Sequence, residues 1–196
     1  SPMPDVITYN VTLSAFARVQ QWERSLQLLG EITTHSLVPS VITYSAVISA
    51  CRNSEQALRL VREAQQRGLT LDVIAFSAAV SACEKGHGWG QAMQLLEDMN
   101  QKGLQPNSIT CGAAISACLK GQVWEQGLRL LVVMRKSELT PNLIMYNSLI
   151  GVCERGRHWE QALGLVTSLL QHNLVPNAIT YSAALGACER SFQWEQ

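Results

Sequence analysis

The chain has 196 residues, 47% hydrophobic and 15% charged, a balance that excludes intrinsic disorder and supplies enough apolar surface for a core. Its 15 basic and 15 acidic residues cancel, so no net field attracts a polyanion, and such a partner has to be met by a local arrangement of charge. No apolar run reaches transmembrane length, and the opening Ser1-Pro2-Met3-Pro4-Asp5 is neither a secretory signal nor an Arg-rich transit peptide.

Self-similarity organises everything that follows. The segment Val6-Ile7-Thr8-Tyr9-Asn10 returns at Val41–Ser45, Val73–Ser77, Ser108–Gly112, Leu143–Asn147 and Ala178–Ser182, at offsets of 35, 32, 35, 35 and 35. These landmarks divide the chain into the end of a preceding unit (1–5), full units at 6–40, 41–72, 73–107, 108–142 and 143–177, and a partial sixth at 178–196. The second unit is short by three residues near Asn53-Ser54. Pro4-Asp5 matches the close of a unit, and Gln196 follows a Trp that opens a second helix. The sequence therefore reads as a window from a longer array.

In the first unit the pattern predicts a helix from the Thr8-Tyr9 pair to Arg18, then a second from Trp22 through Leu26, Leu29 and Ile32, spaced along one side. Pro39 stops it. The second unit repeats the first helix but lacks the Trp. In the next three units Trp89, Trp124 and Trp159 open the second helix, and Pro106, Pro141 and Pro176 close it. The fifth Trp, Trp194, stands in the partial sixth unit. Glu23, Glu125, Glu160 and Glu195 beside these tryptophans suit the positive end of a helix dipole. Gly86, Gly121 and Gly156 are predicted to supply left-handed C-caps to the first helices. Helix, turn, helix, turn is the signature of an all-α fold, an α-solenoid of stacked two-helix hairpins.

Aligning the first helices in columns separates packing from function. Tyr9, Tyr44, Phe76, Cys111, Tyr146 and Tyr181 form one column. Leu13, Ile48, Val80, Ile115, Ile150 and Leu185 form a second, and Phe16, Cys51, Cys83, Cys118, Cys153 and Cys188 a third. This stripe has helical period and is assigned to the core. Stacked hairpins hold equivalent atoms about 10 Å apart, beyond disulfide reach. The cysteines are therefore expected to be buried structural thiols of a reducing compartment.

The other face differs. Ile7, Ile42, Ile74, Ile109, Ile144 and Ile179 fill one column without exception. Three residues on come Asn10, Ser45, Ser77, Gly112, Asn147 and Ser182; then Ser14, Ser49, Ser81, Ser116, Gly151 and Gly186. Arg18, Asn53, Lys85, Lys120, Arg155 and Arg190 end the series, with Arg52 beside the one exception. Steps of three and four put these on one side of the helix. Each column has a structural explanation of its own: neighbour packing for the isoleucines, helix starts for the polar residues, dipole pairing for the cations. Their coincidence six times over points instead to a polymer with regular charge and a variable head group. Single-stranded nucleic acid is such a ligand.

The 35-residue period, the Val-x-Thr-Tyr-Asn/Ser opening and the Gly103-Leu104-Gln105-Pro106-Asn107 closing resemble the pentatricopeptide repeat family over essentially the whole chain. The resemblance implies a right-handed superhelix that binds single-stranded RNA, one base per helical unit, in the processing, stability or translation of chloroplast or mitochondrial transcripts. It also implies that the residue after the Tyr and the last residue of the unit choose the base together. Those pairs are Asn10 with Ser40, Ser45 with Asp72, Ser77 with Asn107, Gly112 with Asn142, and Asn147 with Asn177, with Ser182 beginning the next. The isoleucine column would flank the bases, and Arg18, Arg52, Lys85, Lys120, Arg155 and Arg190 would contact phosphates.

Hydrogen-bonding capacity underlies half of this code. An ionised Asp only accepts and suits the ring N–H of guanine or uracil; Asn also donates and suits the bare ring nitrogen of adenine or cytosine. With the family's preference of Ser for purines and Asn for pyrimidines, the expected order from 5′ to 3′ is C, G, A, A, C or U, then a purine. Four to six neutralised phosphates imply a log–log salt slope of about −3 to −4. Glu84, Glu154 and Glu189 precede three of the cations, and a one-residue step of about 100° is expected to turn them off the same groove.

The residues offer no catalytic constellation, metal site or cofactor motif. His35, His87, His158 and His172 are expected on the surface, and Gly86-His87-Gly88-Trp89-Gly90 lacks the strand and Lys-Ser/Thr of a phosphate loop. The expectation is a binding array that is not an enzyme, takes no small-molecule substrate and does not enter a membrane. The alternative is a protein-binding scaffold of the tetratricopeptide type, whose usual period is 34. The RNA reading requires the side chains of consecutive hairpins to share an inner wall, with Asn10, Ser45, Ser77 and Asn147 outside the packed interior.

Overall fold

The computed structural model describes residues 5–35 and 37–192; the expectations for Pro4, Trp194 and Glu195 lie outside them. The described residues form eleven α-helices and no strand: α1 (Val6–Arg18), α2 (Trp22–Thr34), α3 (Val41–Ala50), α4 (Ser54–Gln66), α5 (Val73–Lys85), α6 (Trp89–Gln101), α7 (Ser108–Gly121), α8 (Trp124–Lys136), α9 (Leu143–Gly156), α10 (Trp159–Gln171) and α11 (Ala178–Phe192). Odd-numbered helices begin at the six repeat landmarks, and four of the five even-numbered ones begin at a Trp. The chain forms two compact units, Ser1–Thr110 and Cys111–Gln196.

Each odd helix starts because the last residue of the preceding repeat caps it. Asp5, Asp72, Asn142 and Asn177 accept the backbone N–H three residues on, as does Asn107 from Thr110, at 2.8 to 3.0 Å. Ser40 does the same for Thr43, whose hydroxyl accepts the Ser40 N–H in return, a capping box. A cap of this kind contributes about 1 kcal/mol.

Helix ends depart from the expectation in an informative way. Gly86 sits at φ −90°, and the left-handed residue is the one following the glycine: His87 at φ 58°, Gln122 at 57° and Arg157 at 61°. Gly88, Val123 and His158 then return their N–H groups to Cys83, Cys118 and Cys153, completing Schellman turns. Gly86 and Gly156 answer to space instead. A Cβ on Gly86 would lie 2.9 Å from the Ser54 nitrogen, and one on Gly156 would lie 2.6 Å from the His158 ring. Left-handed glycines do close even-numbered helices, at Gly68 and Gly103.

Within the first unit α1 packs on α2 and α3, α3 on α4 and α5, and α5 on α4 and α6. In the second, α9 packs on α8, α10 and α11. Tyr44, Phe76 and Tyr146 are fully buried, as are Leu13, Ile48, Val80, Ile115 and Ile150 beneath them. Tyr44 donates to Glu63 Oε1 of α4 at 2.9 Å; burial, then that bond, pushes its phenol up to about 12. Tyr181 and Leu185 are the exceptions, exposed on α11, which no later helix covers among the described residues.

Five cysteines are buried free thiols, and Cys188 is half-buried. Burial raises Cys83 to about 12 and Cys51, Cys111, Cys118 and Cys153 to about 11, so the reactive thiolate is suppressed. The three residues missing from the second repeat shorten α3 to 10 residues against 13 in α1 and α5, while its start and the Tyr44 register are kept. Two histidines are less exposed than expected. His158 lies 4.4 Å from the Trp124 ring, and His172 Nδ1 lies 2.6 Å from the Ser168 carbonyl, which requires its proton there.

Candidate nucleic-acid interface

The face of the odd helices turned away from the core carries large apolar groups in water. Ile7, Ile42, Ile74, Ile109, Ile144 and Ile179 are each 64 to 73% exposed. With about two-thirds of each in solvent, packing against neighbours does not account for that column. In the first unit Ile7, Asn10, Ser14, Arg18 and Ile42 line one open cleft of about 760 Å³, in which the apolar, polar, small and cationic columns adjoin.

The positions after the Tyr divide. Asn10 and Asn147 are half-buried and Ser182 is exposed. Ser45 and Ser77 lie in the packed layer, 9% and 8% exposed, against the expectation that both would stand on the open wall. The cause is local: each hydroxyl donates to the carbonyl one turn back, Val41 at 2.8 Å and Val73 at 2.6 Å, which draws a short side chain onto its own helix. Gly112 presents no side chain, and the Met145 methyl lies 3.0 Å from where its Cβ would be.

Three of the five expected pairs are brought together, in each case by a threonine to which the sequence reading gave no role. Thr43 Oγ1 lies 2.7 Å from Asn10 Oδ1 and 3.1 Å from Ser40 Oγ. Thr110 Oγ1 lies 2.5 Å from Ser77 Oγ and 2.9 Å from Asn107 Oδ1. Thr180 Oγ1 lies 2.6 Å from Asn147 Oδ1 and 3.0 Å from Asn177 Oδ1. In each trio the threonine is the third residue of the following helix. The equivalents for Ser45 with Asp72 and Gly112 with Asn142 are Ala75 and Met145, which have no hydroxyl, so these two pairs are left unbridged.

Arg18, Arg52, Lys85, Lys120, Arg155 and Arg190 are all exposed, with three qualifications. Arg52 lies beyond the end of α3 in a turn, because the deleted residues would have formed the last helical turn. Lys85 donates to Gln20 Oε1 at 3.0 Å. Glu154 does reach the cation column: it pairs with Arg190 at 3.2 Å, and its carboxylate lies 2.8 Å from where a Cβ on Gly186 would stand. The 100° step did not keep it away, because the glycine leaves room and the arginine attracts it. No cluster of three or more potential metal ligands occurs among the described residues, and no helix there is long and apolar enough to cross a membrane.

Capped two-helix repeats with one exposed isoleucine apiece define a helical-repeat protein. The sequence matches the pentatricopeptide repeat domain over residues 59–120, 94–155 and 129–190 and the PPR repeat family over residues 4–53. The chain belongs to the pentatricopeptide repeat family. It is similar to the pentatricopeptide repeat protein PPR10 from maize, with TM-score 0.70 at 26% identity, over 98% of this chain and 28% of that one. PPR10 in complex with an 18-nt psaJ RNA element gives 0.71 at 24% identity, over 100% and 28%. Nuclear proteinaceous RNase P 2 from A. thaliana shares the fold, with TM-score 0.80 at 11% identity, over 92% of this chain and 41% of that one. The chain thus spans 28% of the length of PPR10. No curated protein matches it significantly.

Proposed function

We propose that the chain binds single-stranded RNA sequence-selectively, one base per repeat, as part of a protein acting in the processing, stability or translation of chloroplast or mitochondrial transcripts. The observation that carries this reading is the isoleucine column, exposed in all six repeats beside polar groups and a row of cations. Isolated exposed apolar residues are ordinary; the same residue exposed at every repeat on one face is a set of platforms for flat, stackable groups. The likeness to PPR10, a protein solved with RNA bound, supports it, and organellar action rests on family membership.

In this reading the pairs act in order: Asn10 with Ser40, Ser45 with Asp72, Ser77 with Asn107, Gly112 with Asn142, Asn147 with Asn177. Asp72 uses Oδ1 to cap Ala75 and keeps Oδ2 as an acceptor for a guanine or uracil N–H. Ser45 and Ser77 favour purines by leaving room above a low floor. An RNA hexamer of sequence C, G, A, A, C, A should bind more tightly than its scramble, and Asp72→Asn should move the second preference from guanine to adenine by about 1–3 kcal/mol. Reversing Arg18, Lys85 and Arg155 to Glu should weaken all RNAs alike and flatten the salt slope. Equal binding of hexamer and scramble at low salt would exclude sequence reading, and a base-independent effect of Asp72→Asn would favour a protein ligand.

A further inference from the structure

We propose that the third residue of the following helix, Thr43, Thr110 or Thr180, is a specificity-determining residue: it orients the base-reading pair of the repeat before it. The proposal rests on the RNA-binding reading and adds a position to it. It is sharpest at the fifth pair, where the bonding leaves one solution. The Thr180 N–H can only donate, so the atom of Asn177 that receives it at 3.0 Å is the carbonyl oxygen. The Asn147 atom 3.3 Å from that oxygen must then be the amide nitrogen, which turns Asn147 Oδ1 toward the Thr180 hydroxyl at 2.6 Å. That hydroxyl accepts the Asn177 N–H at 3.1 Å and has a single proton left, which it gives to Asn147. Both lone pairs of Asn177 Oδ1 are thus taken, by the Thr180 N–H and the Asn147 amide, and Asn147 Oδ1 is held against the threonine.

Asn177 therefore offers a ligand N–H alone, both hydrogens of its Nδ2, with one hydrogen of Asn147 Nδ2 beside them. Cytosine offers two adjacent acceptors, N3 and O2. Uracil puts a donor at N3, against the Asn177 amide. The expected preference at this slot, C or U from the residue types, narrows to cytosine. At the third pair the Thr110 N–H holds Asn107 Oδ1 at 2.9 Å, and the Thr110 hydroxyl gives its one proton to Ser77 Oγ, whose own proton goes to Val73, so Asn107 turns its amide donors to the bare N1 of adenine and rejects guanine. Asp72 needs no such help. Both its oxygens accept, and the residue in the bridging position there is Ala75.

The test measures affinity of the 196-residue chain for hexamers differing only at the fifth base, for wild type, Thr180→Val and Thr180→Ser. Wild type should prefer C to U; Thr180→Val, losing one oriented bond, should reduce that preference roughly five-fold and Thr180→Ser should restore it. A purely structural threonine would lower affinity for both RNAs and leave their ratio unchanged, which overturns the proposal. Equal binding of C and U by wild type overturns it as well, while continued discrimination at the Asp72 slot would keep the RNA-reading function intact. Loss of discrimination at every slot in wild type would instead remove the function itself. Should Thr180→Val unfold α11, Thr110→Val asks the same question of A against G at the third base.

Discussion

Ile74 and Phe76 stand two residues apart on α5, both large and apolar, yet one is 67% exposed and the other fully buried. The same contrast recurs between Ile42 and Tyr44 and between Ile144 and Tyr146. A two-residue step turns a helix by about 200°, so hydrophobicity that holds the fold and hydrophobicity left open to solvent alternate inside one short segment. Composition does not distinguish them; only the column each belongs to does.

The largest expected effect sets the two faces directly against each other. Phe76→Ala should cost about 3–5 kcal/mol of stability, read as a lower denaturant midpoint. Ile74→Ala should stay within about 0.5 kcal/mol of wild type in stability and weaken RNA binding instead. A strongly destabilised Ile74→Ala would break the contrast.

A smaller, pH-dependent effect sharpens the buried side. Cys83 is raised to about 12 and four other thiols to about 11, from an ordinary value of 9.0, by burial. Above about pH 9 the unfolded chain therefore releases protons that the folded chain retains, and by linkage stability must fall. Full stability should hold below pH 9 and decline as pH rises toward 11 to 12, measured as the urea midpoint across that range. Thiol-directed reagents at pH 8 should label these five cysteines only as fast as the chain unfolds.

The smallest expected effect lies on the ligand side. Glu154→Gln releases Arg190, whose pair with it is half exposed and so worth under about 1 kcal/mol. RNA affinity should rise by about two- to five-fold at low salt and the slope should steepen by about 0.7. No change would mean that Arg190 does not meet phosphate.

The hairpins, their starts and the two faces were legible in the sequence because they depend on local periodicity repeated six times. What escaped were consequences of contact between repeats or of backbone detail one residue long. The threonine bridges join residues 33 apart, and Thr43 alone looks like an ordinary helix-start residue. Spacing puts Ser45 and Ser77 on the open wall because it gives the direction of a side chain and not its length. Gly86 suggested a left-handed turn by its identity, whereas its position against Ser54 calls for a missing Cβ. Angle alone turns Glu154 to another face and leaves out the arginine that attracts it.

Asp72, Asn107, Asn142 and Asn177 each begin a helix with the same side chain that the proposed function offers to a nucleotide. Altering what such a repeat recognises is thus never independent of whether the next repeat folds. Substitutions there are confined to the few short polar residues that can serve both ends, so the vocabulary of recognition open to an array of this kind is set by helix initiation before any RNA selects among its words.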